Sequence, residues 1–463
     1  MIIPLFGVGL QGKSSTVTSQ GRLNLYYEVQ QELDKTQVAV YGTPGLSSFF
    51  SSLGNTPIRG GIVINELMYL VHRGTFYEVN NSGITTSRGT INTGSGRVDM
   101  SYNGTLILIV DGTRKYTYTP STTTLAVVAD TDFDGCTTCT WLSGEFVVES
   151  GSQIAISDDG TTWDSLDFAS AESAPDGVVR VFADHGEIMV FGKETTEFWG
   201  VTGAANFPFA PNKGANQEYG LAAKWSACKF DGSVAGVMKN KTGQVQIMKF
   251  QGYIPRAIST QELDSIINAY STVADATAYG YMLGGHPMLQ VNFPSAMKSW
   301  LFDASTKAWT EIQSSGNRHR GELHFDFLNK PRITDYSTGD VYNLDASVYT
   351  DNGSSIAREI ISKHIFSEYK NFRITELQVD FETGVGLSTG QGSNPQVMLQ
   401  MSRDNGHTWG NELWTSIGRI GKYKTRAVWR RLGIGNDTVF KLRITDPVKV
   451  VITGANLVGK KVQ

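Results

Sequence analysis

Apolar residues along the middle of this chain come in paired short runs, with Gly or Asx between the two runs of a pair. Glu66–Val79 reads ELMYLVHRGTFYEV, Asn103–Tyr118 reads NGTLILIVDGTRKYTY, Glu145–Ile156 reads EFVVESGSQIAI and Glu187–Trp199 reads EIMVFGKETTEFW. Val234–Phe250, Pro287–Phe302 and Arg332–Tyr342 are looser copies. Asx-Gly between apolar runs is a strong hairpin signal, so each copy predicts two antiparallel strands. The starts lie roughly 37–53 residues apart, near the period of four-stranded propeller blades. A blade cannot bury both of its faces alone, so the period predicts a closed ring of six or seven blades.

The pattern differs at both ends. Residues 1–56 hold a Gly- and Ser-bearing arm, the extended piece Gln20–Tyr27, a charged stretch Gln31–Lys35, a strand Val38–Tyr41 and the turn Gly42-Thr-Pro-Gly45. This is expected to be an extended N-terminal arm whose strands pack on another domain or a neighbouring subunit. Residues 57–346 carry the blades. Within them Ser259–Tyr270 predicts one helix, with Ser259 and Glu262 as a capping box and Leu263, Ile266, Ile267 and Tyr270 as its apolar stripe. Thr202–Gly220 has no periodicity and is expected to be a long loop. From Ser347 the strands lengthen and alternate more cleanly, as in Arg373–Phe381, Thr425–Leu432 and Thr438–Ile444. Residues 347–463 are therefore expected to form a β-sandwich platform. The fold class is all-β: a multi-bladed propeller, then a sandwich, with an arm.

Composition narrows the function. Charged residues make up 18% of the 463, aromatics 11%, and there are 50 glycines, as in a turn-rich β protein. A net charge of −4 gives no global reason for tight nucleic-acid binding, although the C-terminal part is more basic. The N-terminal residues lack the charged and apolar regions of a secretory leader, and no apolar run reaches the ~20 residues of a membrane span. No stable membrane insertion is expected. Three cysteines, Cys136, Cys139 and Cys228, are too few for a disulfide framework, and a reducing compartment is expected. Cys136-Thr-Thr-Cys139 has the spacing of half a zinc site or of a redox pair, but no second CxxC or His pair completes a site and no βαβ pattern surrounds it, so two ordinary strand-edge thiols are expected.

Several motifs invite chemistry. Ser402, Asp404, Gly406, Thr408 and Trp409 fit the Asp-box pattern S-x-D-x-G-x-T-W at every specified position, and Ser157–Trp163 is a shortened copy. The carboxylate accepts backbone N–H bonds, the glycine takes positive φ and the tryptophan packs under the turn, so the expected role is a structural hairpin. Asp boxes occur in sialidases, so a carbohydrate-binding or sialidase-like propeller is the alternative. Such an enzyme needs a Tyr nucleophile with arginines gripping the substrate carboxylate, and no ordered arginine set stands out. Gly7-Val-Gly-Leu-Gln-Gly12-Lys13-Ser14 satisfies the P-loop pattern, yet neither a buried strand nor helix formers flank it, so a flexible arm is expected instead. His72, His185, His286, His319, His324, His364 and His407 are scattered at no common metal spacing. Among the basic residues near the C-terminus, Arg426, Arg430, Arg431 and Arg443 are candidates for a subunit or adaptor interface. Strand alternation puts Arg426 and Arg430 on one face and Arg431 on the other. No catalytic residue, metal or cofactor is expected.

Taken jointly, certain segments carry a resemblance. Gln20-Gly-Arg-Leu-Asn-Leu-Tyr26 followed by Tyr41-Gly-Thr-Pro-Gly-Leu46 resembles the start of the tail hub, or nozzle, proteins of short-tailed bacteriophages, the packaged-DNA stabilisation proteins. Ala171–Gly177, Met189-Val-Phe-Gly192, Glu197-Phe-Trp199 and Val201-Thr-Gly203 are similar to that family's middle. Asp380-Phe-Glu-Thr-Gly384, the Asp box, Val428-Trp-Arg-Arg-Leu-Gly433 and Phe440-Lys-Leu-Arg443 are similar to its end. The resemblance implies a non-enzymatic virion tail part, assembled in the bacterial host cytoplasm. It implies rings of six copies below the portal and a head-to-tail adaptor ring. Such rings continue the channel for genomic DNA, help to retain the packaged genome and carry tail fibres, spikes or a needle.

Overall fold

The computed structural model describes residues 7, 9–10, 13–29, 38–50, 52–171, 176–204, 206–366 and 370–461. The charged stretch Gln31–Lys35 and residues 172–175 of the family-like middle segment lie outside them. Seven four-stranded antiparallel blades occupy residues 58–90, 99–127, 139–170, 178–211, 219–257, 277–314 and 321–345 with Gly45–Phe50. The first strands of blades one to four lie against one another in turn, Cys228–Phe230 of blade five lies against the first strand of blade six, and the first strands of blades six, seven and one close the circle.

The sequence hairpins are the second and third strands of every blade, and the burial pattern explains why they were legible. Ile107–Val110 is wholly buried. Ile107 and Ile109 pack toward blade one, while Leu108 and Val110 pack toward blade three. A strand covered on both faces reads as an unbroken apolar run. Seven apolar clusters fill the seven blade junctions, and an eighth fills the sandwich. Each fully buried aliphatic or aromatic side chain contributes roughly 1.5–3 kcal/mol. No blade has a core of its own, so the ring stands or falls as a whole.

The ring closes through a strand from far upstream. Gly45–Phe50, expected with the arm on the platform, pairs antiparallel with Val341–Asp345 as the outer strand of blade seven. Gly45 permits this closure: a Cβ there would meet the carbonyl oxygens of Val348 and Thr350 at 2.4 and 2.5 Å. The hairpin of Thr350–Asp351 and Ser354–Ser355, expected in the platform, extends the same sheet. Two further expectations are corrected. The aperiodic Thr202–Gly220 contributes the outer strand Phe209–Pro211 of blade four, because Phe209 is buried against Phe207 and its neighbours. The helix spans Gln261–Ile267 and is capped by Thr260, not Ser259. The Ser259 hydroxyl instead accepts the Ile247 N–H within the blade-five strand Val245–Gln251. Leu263, Ile267, Ile266 and Tyr270 pack into the junction of blades five and six, as the stripe predicts.

The sandwich has two sheets. One holds Leu25–Val29, Val38–Gly42, Val451–Lys461, Phe372–Phe381 and Ala427–Gly435. The other holds Gly21–Leu23, Arg358–Ile361, Asp437–Ile444, Gln396–Ser402 and Leu413–Ser416. Gly21–Leu23 also pairs, in parallel, with the outer strand Ala308–Ser314 of blade six. One continuous sheet therefore runs from propeller to sandwich.

Candidate assembly site on the sandwich

Three consecutive residues build the splice between the two units. Leu23 sits opposite Glu311 of blade six on one side and Glu359 of the sandwich on the other. The Arg22 guanidinium is buried, which pulls its pKa down, and it lies 4.6 Å from the Tyr27 ring centre. It donates to the Trp309 carbonyl (2.5 Å), the Thr310 hydroxyl (3.3 Å) and the Gly7 carbonyl (2.6 Å). Asn24 adopts a left-handed φ of 53°, which suits its short polar side chain. Its amide donates to the carbonyls of Gln313 and Ala357 and accepts the Gln313 N–H. Propeller and sandwich are thus joined by hydrogen bonds from two buried side chains, Arg22 and Asn24.

Upstream, the arm lies across the sandwich and meets the Asp box. Inside that turn the Ser402 hydroxyl donates to Asp404 at 2.7 Å, and Asp404 accepts the Thr408 N–H and hydroxyl at 2.8 and 2.6 Å. Gly406 has a φ of 86° and donates its N–H to Ser402 Oγ. The Thr408 hydroxyl, Thr408 N–H and Ser402 hydroxyl hold the Asp404 pKa far below the carboxylate range. Trp409 is half-buried and carries Lys441 Nζ 4.4 Å from its ring centre. The Asp box makes the expected turn, and its outer side meets the arm: His407 Nε2 lies 3.2 Å from Ser15 Oγ. His364 lies 2.7 Å from the Ser15 carbonyl through Nε2 and pairs with Asp437 through Nδ1. The copy in blade three is built alike, with Asp159 accepting from Thr161 and Thr162 above a buried Trp163.

The four arginines do not form one patch. Arg426, Arg430 and Arg431 are all exposed at the Ala427–Gly435 edge strand, and Arg430 pairs with Glu376 at 2.9 Å. Arg431 was expected on the opposite face from Arg430. A register shift opposite Ile374 and Glu376, with Arg431 at φ 57°, inserts an extra residue and turns both outward. Arg443 lies on the other sheet, in the crevice between propeller and sandwich with Glu311, Glu359 and Lys298. Exposed apolar residues, which strand alternation does not reveal, lie close in sequence to the edge arginines: Trp414, Ile420, Tyr423 and Ile434. Their signal was available, since Trp414, Ile420 and Tyr423 sit in a polar, Gly-bearing stretch that cannot be a core strand.

The remaining motifs take structural roles. The carbonyls of Gly7 and Gly9 accept from Arg22, whereas a P-loop aims N–H groups at phosphate. Ser14 starts a turn with its carbonyl accepting from Val17 and Thr18; Val8, Gln11 and Gly12 lie outside the described residues. Burial pushes the Cys136 and Cys139 thiols up and holds Cys228 at about 12, so none is a ready thiolate. Burial lowers His319 and His324 to about 4. Among the described residues no group of three or more His, Cys, Asp or Glu is placed to hold a metal, and no helix is long and apolar enough to cross a membrane.

Comparison with known proteins bears on this two-part arrangement. Residues 1–349 match the family model for the bacteriophage P22 Gp10 β-propeller, and residues 357–459 match the one for the P22 Gp10 β-sandwich. The chain belongs to the bacteriophage P22 Gp10 family. One member, the tail hub protein gp10 of Salmonella phage P22, is 24% identical over 304 residues. That match covers 62% of this chain and 61% of the relative's length. The two Gp10 matches meet between residues 349 and 357, within the span where the blade-seven sheet gives way to the sandwich. Among solved structures, the WD40 β-propeller domain of Doa1 is similar at 10% identity, with a TM-score of 0.41 over 64% of this chain and 97% of that one. The N-terminal domain of Nup159 is similar at 12% identity, with a TM-score of 0.40 over 68% of this chain and 97% of that one.

Proposed function

We propose that this chain is a structural tail hub of a phage virion, acting by shape and packing and catalysing no reaction. The observation that carries the reading is the pair of Gp10 family matches, in order, over both units of the fold. In this reading the arm (1–56), propeller (57–346) and platform (347–463) are working parts. Platforms of six copies pack side by side, below a portal and its adaptor ring, and the ring continues the DNA channel. The propellers hang from it and offer surfaces to fibres, spikes or a needle. The chain then resides in the virion tail after assembly in the host cytoplasm.

Two physical features support the division of labour. The sheet shared between blade six and the sandwich holds each propeller at a fixed angle to its platform. Residues 347–463 hold sixteen Lys and Arg against ten Asp and Glu, while residues 1–346 hold twenty-four against thirty-four. Arg426, Arg430 and Arg431 on the platform edge are the proposed subunit or adaptor contacts, and Arg443 supports the platform from the propeller side. A wall of neutral or acidic character lets DNA pass, since cationic contacts bind phosphate strongly. The experiment is mass measurement of the purified protein alone and with purified adaptor rings. A defined complex of six copies per ring is expected. A protein that remains monomeric with adaptor rings present would sink the reading.

A further inference from the structure

Where the loop that joins blades one and two meets blade seven lies a cavity of about 330 Å³, lined by Arg59, Arg73, Arg97, Glu322, Tyr336 and neighbouring loop residues. We propose that this cavity binds a small oxyanion, a carboxylate or phosphate carried on a compact organic body. The proposal does not depend on the tail-hub reading.

The charge balance is the first argument. Arg59 is buried, and its five N–H donors are all taken by uncharged oxygens. They go to the carbonyls of Gly96 (2.6 Å), Arg73 (2.6 Å), Thr93 (2.7 Å) and Ser95 (2.6 Å) and to the Thr93 hydroxyl (2.8 Å). Among the described residues no carboxylate pairs with it directly; Asp111 lies behind, accepting from the Thr93 hydroxyl. Arg73 is exposed and donates through Nε to Thr56 Oγ1 at 3.3 Å, and among the described residues its two terminal nitrogens have no acceptor. Glu322 is the carboxylate among the lining residues, and it is shared: Arg97 reaches it at 2.5 Å and Arg318 at 2.7 Å. Three guanidinium groups thus line the cavity with one carboxylate.

Unfilled donors are the second argument. Arg318 stands behind the lining, 4% exposed and 4.1 Å from the centre of the Tyr336 ring. The terminal nitrogens of Arg73, which is on the lining, are the side-chain donors that a ligand oxygen would fill. The peptide plane adds to this. With the carbonyls of Thr93, Ser95 and Gly96 turned toward Arg59, the trans geometry turns the N–H groups of Gly94, Gly96 and Arg97 the other way. Among the described residues these N–H groups have no acceptor. Successive outward N–H groups beside cations make an anion-binding concavity. Pro57, Ile58 and Tyr336 supply apolar wall for the body of the ligand. The volume sits at the small end of ligand cavities, so the body is compact.

The test is calorimetric titration of the full chain with inorganic phosphate, with D-glucuronate and with neutral D-glucose. Saturable one-to-one binding of an anion, with no binding of glucose, is expected. Stronger phosphate binding assigns a phosphate-bearing ligand, and stronger glucuronate binding assigns an acidic saccharide. Arg73→Ala should weaken the anion roughly tenfold to a hundredfold, the range for a hydrogen bond to a charged group. Arg73→Lys should lose less. Arg256→Ala, on an exposed outer strand of blade five, should bind as the parent does. Failure of both anions to bind, or equal binding by Arg73→Ala and the parent, overturns the proposal.

Discussion

The propeller and the sandwich solve the same problem in opposite ways. Each blade is covered on both faces by its neighbours, and the ring ends where it began, so its middle strands are largely buried and exposed apolar residues such as Ile254 and Met282 lie on outer or inner strands. The sandwich buries one core between two sheets and leaves free strands at their edges. Trp414, Ile420 and Tyr423 stand 59%, 61% and 76% exposed in and beside those edges, in the stretch that also brings Arg426, Arg430 and Arg431 outward. A closed ring needs no partner to complete its packing. An open two-sheet edge with aromatic and cationic side chains is the composition found at interfaces. The asymmetry in charge follows the same line.

Truncation sharpens this contrast most. Phe76 is fully buried between blades one and two, stacked on Tyr69 at 5.8 Å and tilted against Tyr118 at 4.9 Å. Phe76→Ala should cost about 3–5 kcal/mol in denaturant unfolding. Trp414→Ala should change the stability of the free chain by no more than about 0.5 kcal/mol. Equal losses in both would erase the distinction between a self-sufficient ring and an open platform.

The splice between the units comes next. Removing the Asn24 side chain leaves carbonyls of Gln313 and Ala357 and an N–H of Gln313 without partners, and puts alanine at a φ of 53°. Asn24→Ala should cost about 2–3 kcal/mol. It should also split a single calorimetric transition into two, because the shared sheet no longer couples the units. Asn24→Gly relieves the backbone but not the lost bonds, and should recover only part. A single unsplit transition in Asn24→Ala would mean that the shared sheet couples the units without this residue.

How much of this was legible follows from the same physics. The second and third strands of each blade were readable because burial on both faces writes continuous apolar runs, as in Ile107–Val110. The outer strands were not: Thr85–Thr90 and Thr124–Val127 are partly or fully exposed, and Phe209–Pro211 is three residues long. The pairing of Gly45–Phe50 with Val341–Asp345 joins positions nearly three hundred residues apart, which no local pattern encodes. At the site, the Asp box was legible because its hydrogen bonds are local, from Ser402 to Thr408. The outward turn of Arg431 was not, since a bulge breaks the period of two on which the face assignment rested. The tie of Arg22 to blade six and the arm was invisible too, because its partners are brought together only by the fold.

The two Asp boxes give a smaller, pH-dependent test. Burial pushes the Asp159 carboxyl up, but bonds from the N–H and hydroxyl groups of Thr161 and Thr162 outweigh it and hold the pKa at about 2, against an ordinary 3.8. A carboxylate held below its unfolded value stabilises the fold above that value, and the gain disappears as pH falls through the folded one. Unfolding stability should therefore drop between pH 3.8 and about 2, and Asp159→Asn should flatten that part of the profile. Asp404→Asn should flatten it in the same direction and should also loosen the arm, seen as faster proteolysis near Ser15. An unchanged profile in Asp159→Asn would show that other carboxylates set the acid limit.

The smallest effect on the free chain is expected where the assembly should respond most. Arg430 is 72% exposed, and its pair with Glu376 is a surface ion pair worth at most about 1 kcal/mol. Arg431 has no ion-pair partner among the described residues. Replacing both, Arg430→Glu with Arg431→Glu, should leave unfolding of the free chain nearly unchanged. If the sandwich edge meets another copy or an adaptor ring, the same pair of changes places two anions where cations stood and removes charge complementarity. Ring formation measured by mass should then fall, most steeply at low salt, where surface charges are least screened. A reversal at exposed Arg256 in blade five is the control, because it alters net charge by the same sign without touching the edge. Loss of assembly in the edge variant but not in the control would tie the open sheet edge to partner binding; equal behaviour of the two would leave the ring held by apolar contacts such as Trp414 and Tyr423 instead.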